Sequence, residues 1–309
     1  MCLVLRPAPA VSEKYEFMHS LATDDGEYEF PVVFMCVRLH VSRSGFYEWR
    51  DRPISATTQR REDIGRLIEL SFAESDETYG YRRVHAELAR WDVDCSPELV
   101  RSIMRELGLV PCQPRPWRVS LTEAGGVAAP IPDLVNRDFT ADVPGAKMVG
   151  DITYIPTWQG WLFLATVIDC HTKAVIGWAM DDNYKTPLIA AAIQMAARNG
   201  DLPADAIFHS DRGSNYTSAE FAKTLKELDI RQSVGRTGTC YDNAMAESFN
   251  AALKVERVHR TAYPTRKKAY ADIAAHIELR YNSTGLHSGL GYRTPSEARD
   301  EYLNRQSAA

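Results

Sequence analysis

Apolar and polar positions along the chain follow two regimes. From residue 31 to about 110 the apolar residues recur at helical spacing, and from 147 onward they come in short runs broken by turns. Residues 31–51, "PVVFMCVRLHVSRSGFYEWRD", carry an apolar helix-like run, a Ser/Gly turn and a second short helix pattern, the outline of a helix-turn-helix. A second outline follows in "TYGYRRVHAELARWDVDCSPELVRSIMRELGLV". It predicts a helix over roughly 81–91, then Ser96 as N-cap, Pro97 at the first helical position and Gly108 as the stop. Arg101 and Arg105, four apart, share a face of that last helix.

Residues 113–146 hold Pro114, Pro116, Pro130, Pro132 and Pro144 with little periodicity and read as a linker. Beyond it, "AKMVGDITYIP", "WLFLATVIDC" and "AVIGWAM" predict three consecutive strands, the first two joined by the turn "TWQG". "TPLIAAAIQMAARNG" predicts a helix ending at Gly200. A fourth strand "AIFHSD", a helix over about 218–228, a fifth strand "IRQSVG" and a long helix over about 242–258 complete the series. A meander followed by alternating helix and strand gives an α/β fold with a mixed five-stranded sheet flanked by helices, preceded by an all-helical region. The expected boundaries are 1–56 for an N-terminal helical region, 57–112 for a second helical module, 113–146 for the linker, 147–262 for the core and 263–309 for a helical tail.

Composition narrows this picture only slightly. A 309-residue chain that is 45% hydrophobic and 25% charged is ordinary for a globular protein. The apolar run "WLFLATVI" falls far short of the roughly 20 residues a membrane span needs, and no signal-peptide pattern opens the chain. The six scattered cysteines form no CxxC pair, so neither a disulfide framework nor a zinc finger is indicated, and a reducing cytoplasm fits best. A net charge of −5 speaks globally against a nucleic-acid partner. Between Ser248 and Thr294, however, eight Lys or Arg (among them Lys254, Arg257 and Arg260) stand against three acids. Such a bias reads as a DNA-contacting surface or as a solvated helix face, and Arg101 and Arg105 carry the same two readings.

The chemistry lies in three acids: Asp151 within the first strand, Asp211 in "FHSDRGSNYTS" at the end of the fourth, and Glu247 in the long helix. An aspartate inside a sheet-central run is costly without a partner, and the carboxyl end of a strand is where open α/β sheets gather ligands. Two carboxylates about 4 Å apart repel by roughly 4 kcal/mol at an effective dielectric near 20, so three that converge call for cations between them. Oxygen-only ligand sets select Mg²⁺ or Mn²⁺, and a pair of such ions serves phosphodiester chemistry.

Thirty-five residues separate Asp211 from Glu247, which matches the D,D(35)E signature of retroviral integrases and related transposases. "GDITYI", "HSDRGSNYTS", "YDNAMAES" and "YNSTGLHSGLGYRTP" together resemble the second-frame protein of the bacterial two-frame insertion sequences, and "SRSGFYEW" and "TYGYRRVHAELAR" extend the resemblance over nearly the whole chain. The resemblance implies an RNase H-like integrase core, with Asp151, Asp211 and Glu247 as a triad binding two Mg²⁺ or Mn²⁺ ions. It implies cleavage and joining of the element's DNA, with the terminal inverted repeats and a target as partners. A homo-oligomer on DNA and a fusion with an upstream-frame protein are implied as well.

Lys254, seven residues after Glu247, returns to nearly the same helix face about 10 Å along and is similar to the family's phosphate-holding basic residue. His209 points to the same sheet face as Asp211 and reads equally as packed or catalytic. Gly213 permits a close backbone approach, Asn243 or Asp242 caps the Glu247 helix, and Asn250 stands one turn beyond Glu247 as a supporting residue. Trp158 and Trp161, flanking the hairpin turn, read as core rather than as base-stacking residues. Gly285 and Leu286 precede His287 where the family carries Arg-Pro, and Asn215 stands where Gln is common. Two other functions use the same residues: a nuclease that only hydrolyses, and a DNA-binding regulator with an inactive core.

Overall fold

The structure, a computed structural model, describes residues 9–23, 27–113, 131–199, 202–235 and 240–308. The chain forms two compact units, Met1–Arg66 and Leu67–Ala309. In the first, α1 (Val11–Ser20), α2 (Val32–Leu39) and α3 (Arg43–Asp51) enclose a small core of Tyr15, Met18, Met35, Cys36 and Phe46. The turn before α3 passes through His40 at φ 54°, and the Ser42 hydroxyl accepts the Gly45 N–H to cap the helix. The unit boundary falls inside α4 (Ala56–Glu74).

The second unit opens with α5 (Tyr81–Arg90) and α6 (Pro97–Glu106). Ser96 Oγ accepts the Leu99 N–H, Pro97 fills the first turn and Gly108 sits at φ +67°, so the start and stop signals act as expected. Val84 and Leu88 of α5 and Val100, Ile103 and Met104 of α6 are buried, the apolar stripes that fold these two helices together.

Five strands follow in the sheet order β3-β2-β1-β4-β5. β1 (Lys147–Thr157), β2 (Gly160–Asp169) and β3 (Val175–Asp181) form the antiparallel meander. After α7 (Thr186–Asn199), β4 (Ile207–Ser210) pairs parallel to β1, and after α8 (Ala219–Glu227), β5 (Arg231–Val234) pairs parallel to β4. The expected helix stop, Gly200, lies outside the described residues. A 3₁₀ turn, Cys240–Asn243, leads into α9 (Ala244–Glu256), and α10 (Arg266–Ala275) and α11 (Pro295–Ser307) close the chain.

Alternation along β1 sorts its side chains between two layers. Met148 packs with Ala165, Val167 and the buried faces of α7 and α8, while Val149 and Ile155 pack with Phe249 and Leu253 of α9 and Ile273 of α10. Asp151 is in phase with Val149 and Ile155 and so belongs to the α9 side. The C-terminal segment, expected as a tail, supplies part of this layer: Ala269, Ile273 and Ile277 are fully buried in it.

The linker expectation also changes. Pro114, Pro116 and Pro130 lie outside the described residues, but from residue 131 the chain is packed on the core. Leu134 N–H donates to Ser233 Oγ, Pro132 C=O accepts from Val234 N–H, and Arg137 pairs with the buried Asp242 at 2.6 Å. Composition signalled the prolines there but not these distant partners.

Candidate active site

β1 and β4 run parallel and side by side, pairing only over Lys147–Val149 and Ile207–His209. Asp151 lies two residues beyond that ladder on β1, and Asp211 follows directly on β4. On β4, Phe208 enters the α7–α8 layer, so His209 and Asp211 are in phase toward the other. There His209 Nε2 meets the backbone carbonyl of Asp242 at 2.8 Å, in the turn that starts α9. Glu247 occupies the first turn of that helix. The sheet and the helix N-terminus thus bring the three acids within electrostatic reach of one another.

Their electrostatics show the proximity. The Asp151 carboxyl is pushed up to about 7, by burial first and then by the charge of Asp211, with Glu247 adding to the effect. The Ile152 N–H on Oδ1 (2.8 Å) and the Asn250 amide on Oδ2 (2.9 Å) act in the opposite direction. Burial and Asp211 also raise the Glu247 pKa. Tyr216, buried behind the acids, has its phenol pKa raised well above the usual value by burial and by the charges of Asp151 and Asp211. Among the described residues no three acids, histidines or cysteines are drawn closely enough together to hold a metal ion. Asp151 and Asp211 instead take local donors, and Gly213 N–H donates to Asp211 Oδ1 at 2.9 Å. A Cβ on Gly213 would stand 2.9 Å from that same oxygen, so the close approach expected of this glycine is to the carboxylate itself.

The remaining expected residues fall into two groups. Lys254 shares the Glu247 side of α9, while Asn250 is buried beside Ala246, Phe249 and Leu253. Lys254 Nζ lies 4.4 Å from the Tyr154 ring centre; burial lowers its pKa and the Asp151 charge partly restores it. His209 resolves as a packing residue: it is fully buried, Nδ1 meets Ser233 Oγ at 2.8 Å, and burial lowers its pKa. Asn243 stands at the N-cap by backbone but makes no capping bond; its amide donates to Gly150 C=O at 3.1 Å, tying α9 to β1.

Arg257, part-buried, and Arg260, exposed, are both engaged in ion pairs. Arg257 pairs with Asp272 and Asp76, and Arg260 pairs with Asp76 and Glu77, joining the core to the segment before α5. Arg101 and Arg105 are exposed; Arg101 lies 3.5 Å from Glu98 and over the Tyr81 ring. Trp158 and Trp161, expected in the core, stand exposed because the α7–α8 layer packs at the other end of the strands. Sequence reasoning missed Tyr216 and also Thr166, which pairs with Asp151 across β1–β2 and whose buried hydroxyl has no partner among the described residues. A hydroxyl inside the apolar run "WLFLATVI" was the available signal for Thr166.

A mixed five-stranded sheet with acids from two adjacent parallel strands and a helix N-terminus defines an RNase H-like core of the integrase type. Family models agree: an integrase core domain matches residues 141–240, a second integrase core model matches 228–295, and an HTH-like domain matches 59–117. The chain is 36% identical over 278 residues to the transposase InsF for insertion sequence IS3A of Escherichia coli (strain K12), covering 89% of this chain and 96% of that protein. It is 34% identical over 268 residues to a 31 kDa protein of insertion element IS600 of Shigella sonnei, covering 87% and 98%. Among solved structures, the simian T-cell lymphotropic virus intasome with PP2A regulatory subunit B56 gamma aligns over 69% of this chain and 73% of its own at 14% identity and TM-score 0.45. The HTLV-2 integrase catalytic core domain in complex with magnesium aligns over 50% and 95% at 16% identity and TM-score 0.38. The chain belongs to the insertion-sequence transposase family.

Proposed function

We propose that this protein cleaves and joins the DNA ends of its insertion sequence in the bacterial cytoplasm, with Asp151, Asp211 and Glu247 as the catalytic acids. One observation carries the reading: adjacent parallel strands deliver two aspartates to the N-terminus of the helix bearing Glu247, where Asp151 is opposed in its charge by both other acids. The donor set is oxygen only, which suits Mg²⁺ or Mn²⁺, and two such ions supply an activated water or 3′-hydroxyl and a stabilised leaving oxygen. The residues fit in kind: each aspartate carboxylate keeps acceptor lone pairs beyond the backbone N–H bonds from Ile152 and Gly213. Asn250 then orients Asp151 through the bond it already makes. Because two element ends meet one target, the active form on DNA is a homo-oligomer.

The direct assay incubates the purified chain with a labelled, pre-cleaved element end, a target duplex and Mn²⁺. Joining of the 3′-hydroxyl end, abolished by exhaustive chelation, is the expected result. Nicking without joining would assign a hydrolytic nuclease, and neither activity would leave a DNA-binding regulator. Lys254, on the Glu247 stripe, is proposed to hold a phosphate of the bound end. Lys254→Ala should weaken end binding most at raised salt and lower the slope of log affinity against log salt by about 1. An unchanged slope would make Lys254 only the partner of Tyr154.

A further inference from the structure

Exposed aromatic rings gather at the tip of the β1–β2 hairpin. Trp158 in the turn is 78% exposed, Trp161 50%, Tyr154 52% and, after β3, Tyr184 58%. Pairing of Pro156 with Trp161 and of Tyr154 with Phe163 puts Tyr154, Trp161 and Phe163 on one sheet face. Tyr154 and Trp161 meet edge-on with centroids 4.9 Å apart, and Phe163 continues the contact to Tyr184 at 5.3 Å. A contiguous aromatic surface left to water marks an interaction site.

Cations interleave with these rings. Lys254 Nζ lies over Tyr154, Arg266 Nε donates to Trp161 C=O at 3.0 Å, and the exposed Lys185 follows Tyr184. Two acids border the rings: the exposed Asp181, cross-strand from Phe163, and Asp182, 3.8 Å from Arg266. Alternating ring faces and cations match single-stranded nucleic acid, in which every nucleotide offers a stacking base and a phosphate. The surface lies on the α7–α8 face of the sheet, opposite Asp151, and Lys254 of α9 links the two around the edge of β1. β4 flanks β1 only as far as Val149, so beyond it that side of β1 has no strand partner among the described residues. Lys254 and Tyr154 meet at the strand there, and Tyr154 is three residues, about 10 Å, along β1 from Asp151.

We propose that this aromatic face is a stacking platform for unpaired bases of the DNA strand at the active site. The proposal rests on the DNA-joining reading above. It is tested on the full chain in chelator by anisotropy, with a labelled oligo-dT and a blunt random duplex as the probes. Trp161→Ala should weaken oligo-dT binding about tenfold, the loss expected when one stacked base is given up, and change duplex binding less than twofold. Trp161→Phe should retain most of the affinity, and Trp158→Ala, in the exposed turn, should give a smaller selective loss. Unchanged oligo-dT affinity in both alanine variants, or equal losses on both probes, would overturn the platform. A change of sedimentation with oligo-dT affinity intact would assign the face to a second copy of the chain instead. If the wild-type chain joins ends while these variants bind oligo-dT normally, only the platform falls. If it binds oligo-dT through Trp161 but joins nothing, only the function falls.

Discussion

Asp151→Asn is expected to abolish strand joining while making the metal-free protein harder to unfold. The amide keeps the shape of the side chain and removes a charge that burial, Asp211 and Glu247 all oppose. Relief of that opposition should contribute roughly 1–2 kcal/mol, a few degrees in the unfolding midpoint for a unit of this size. Activity moves the other way. Loss of a carboxylate at a metal centre removes several kcal/mol of transition-state stabilisation, and each 1.36 kcal/mol is tenfold, so joining should fall at least about a thousandfold. Thermal unfolding in chelator and single-turnover joining, measured on one preparation, separate the two effects. A variant that loses stability and activity together would make Asp151 a structural residue.

Gly177→Val should have the largest effect on stability. A Cβ at Gly177 on β3 would lie 2.3 Å from the Ala192 carbonyl oxygen and 2.6 Å from the Ala196 nitrogen of α7. Both are backbone atoms of a regular helix and cannot rotate aside, so strand and helix must separate. That separation would open the layer in which Leu188, Ile189, Ala192, Ile193 and Ala196 are buried. A cost above about 4 kcal/mol, at the upper end for single substitutions, should appear as lost soluble protein or a large drop in denaturant midpoint. A midpoint near the wild-type value would contradict the close packing of α7 on β3.

Legibility in the sequence followed the range of the interaction. Ser96, Pro97 and Gly108 act within one helical turn, and the structure places each in its expected role. The strands were legible because β-branched and aromatic runs stand between clear turns, and the candidate acids because a 35-residue interval is a property of the chain itself. What escaped depends on partners far away. Arg257 and Arg260 read as surface cations until Asp76, more than 170 residues earlier, folds against them. Asn243 has the residue type of a cap, yet the nearby Gly150 carbonyl takes its amide. Trp161 is apolar beside an apolar run, and only the extent of the α7–α8 layer decides that it stays exposed. Thr166 and Tyr216 carry no local signal for their place behind the acids, because strand register and the loop after β4 put them there.

The central claim is that Glu247 acts with Asp151 and Asp211 in DNA joining. Glu247 is exposed in the first turn of α9, so Glu247→Gln can be made without disturbing the buried stripe of Ala246, Phe249 and Leu253. Single-turnover strand transfer of a pre-cleaved element end in Mn²⁺, with end binding measured in parallel, is the direct test. Wild-type-like binding with joining reduced at least about a thousandfold is the predicted result. Joining at near wild-type rate by Glu247→Gln would make this glutamate an ordinary helix-surface residue and contradict the three-acid site.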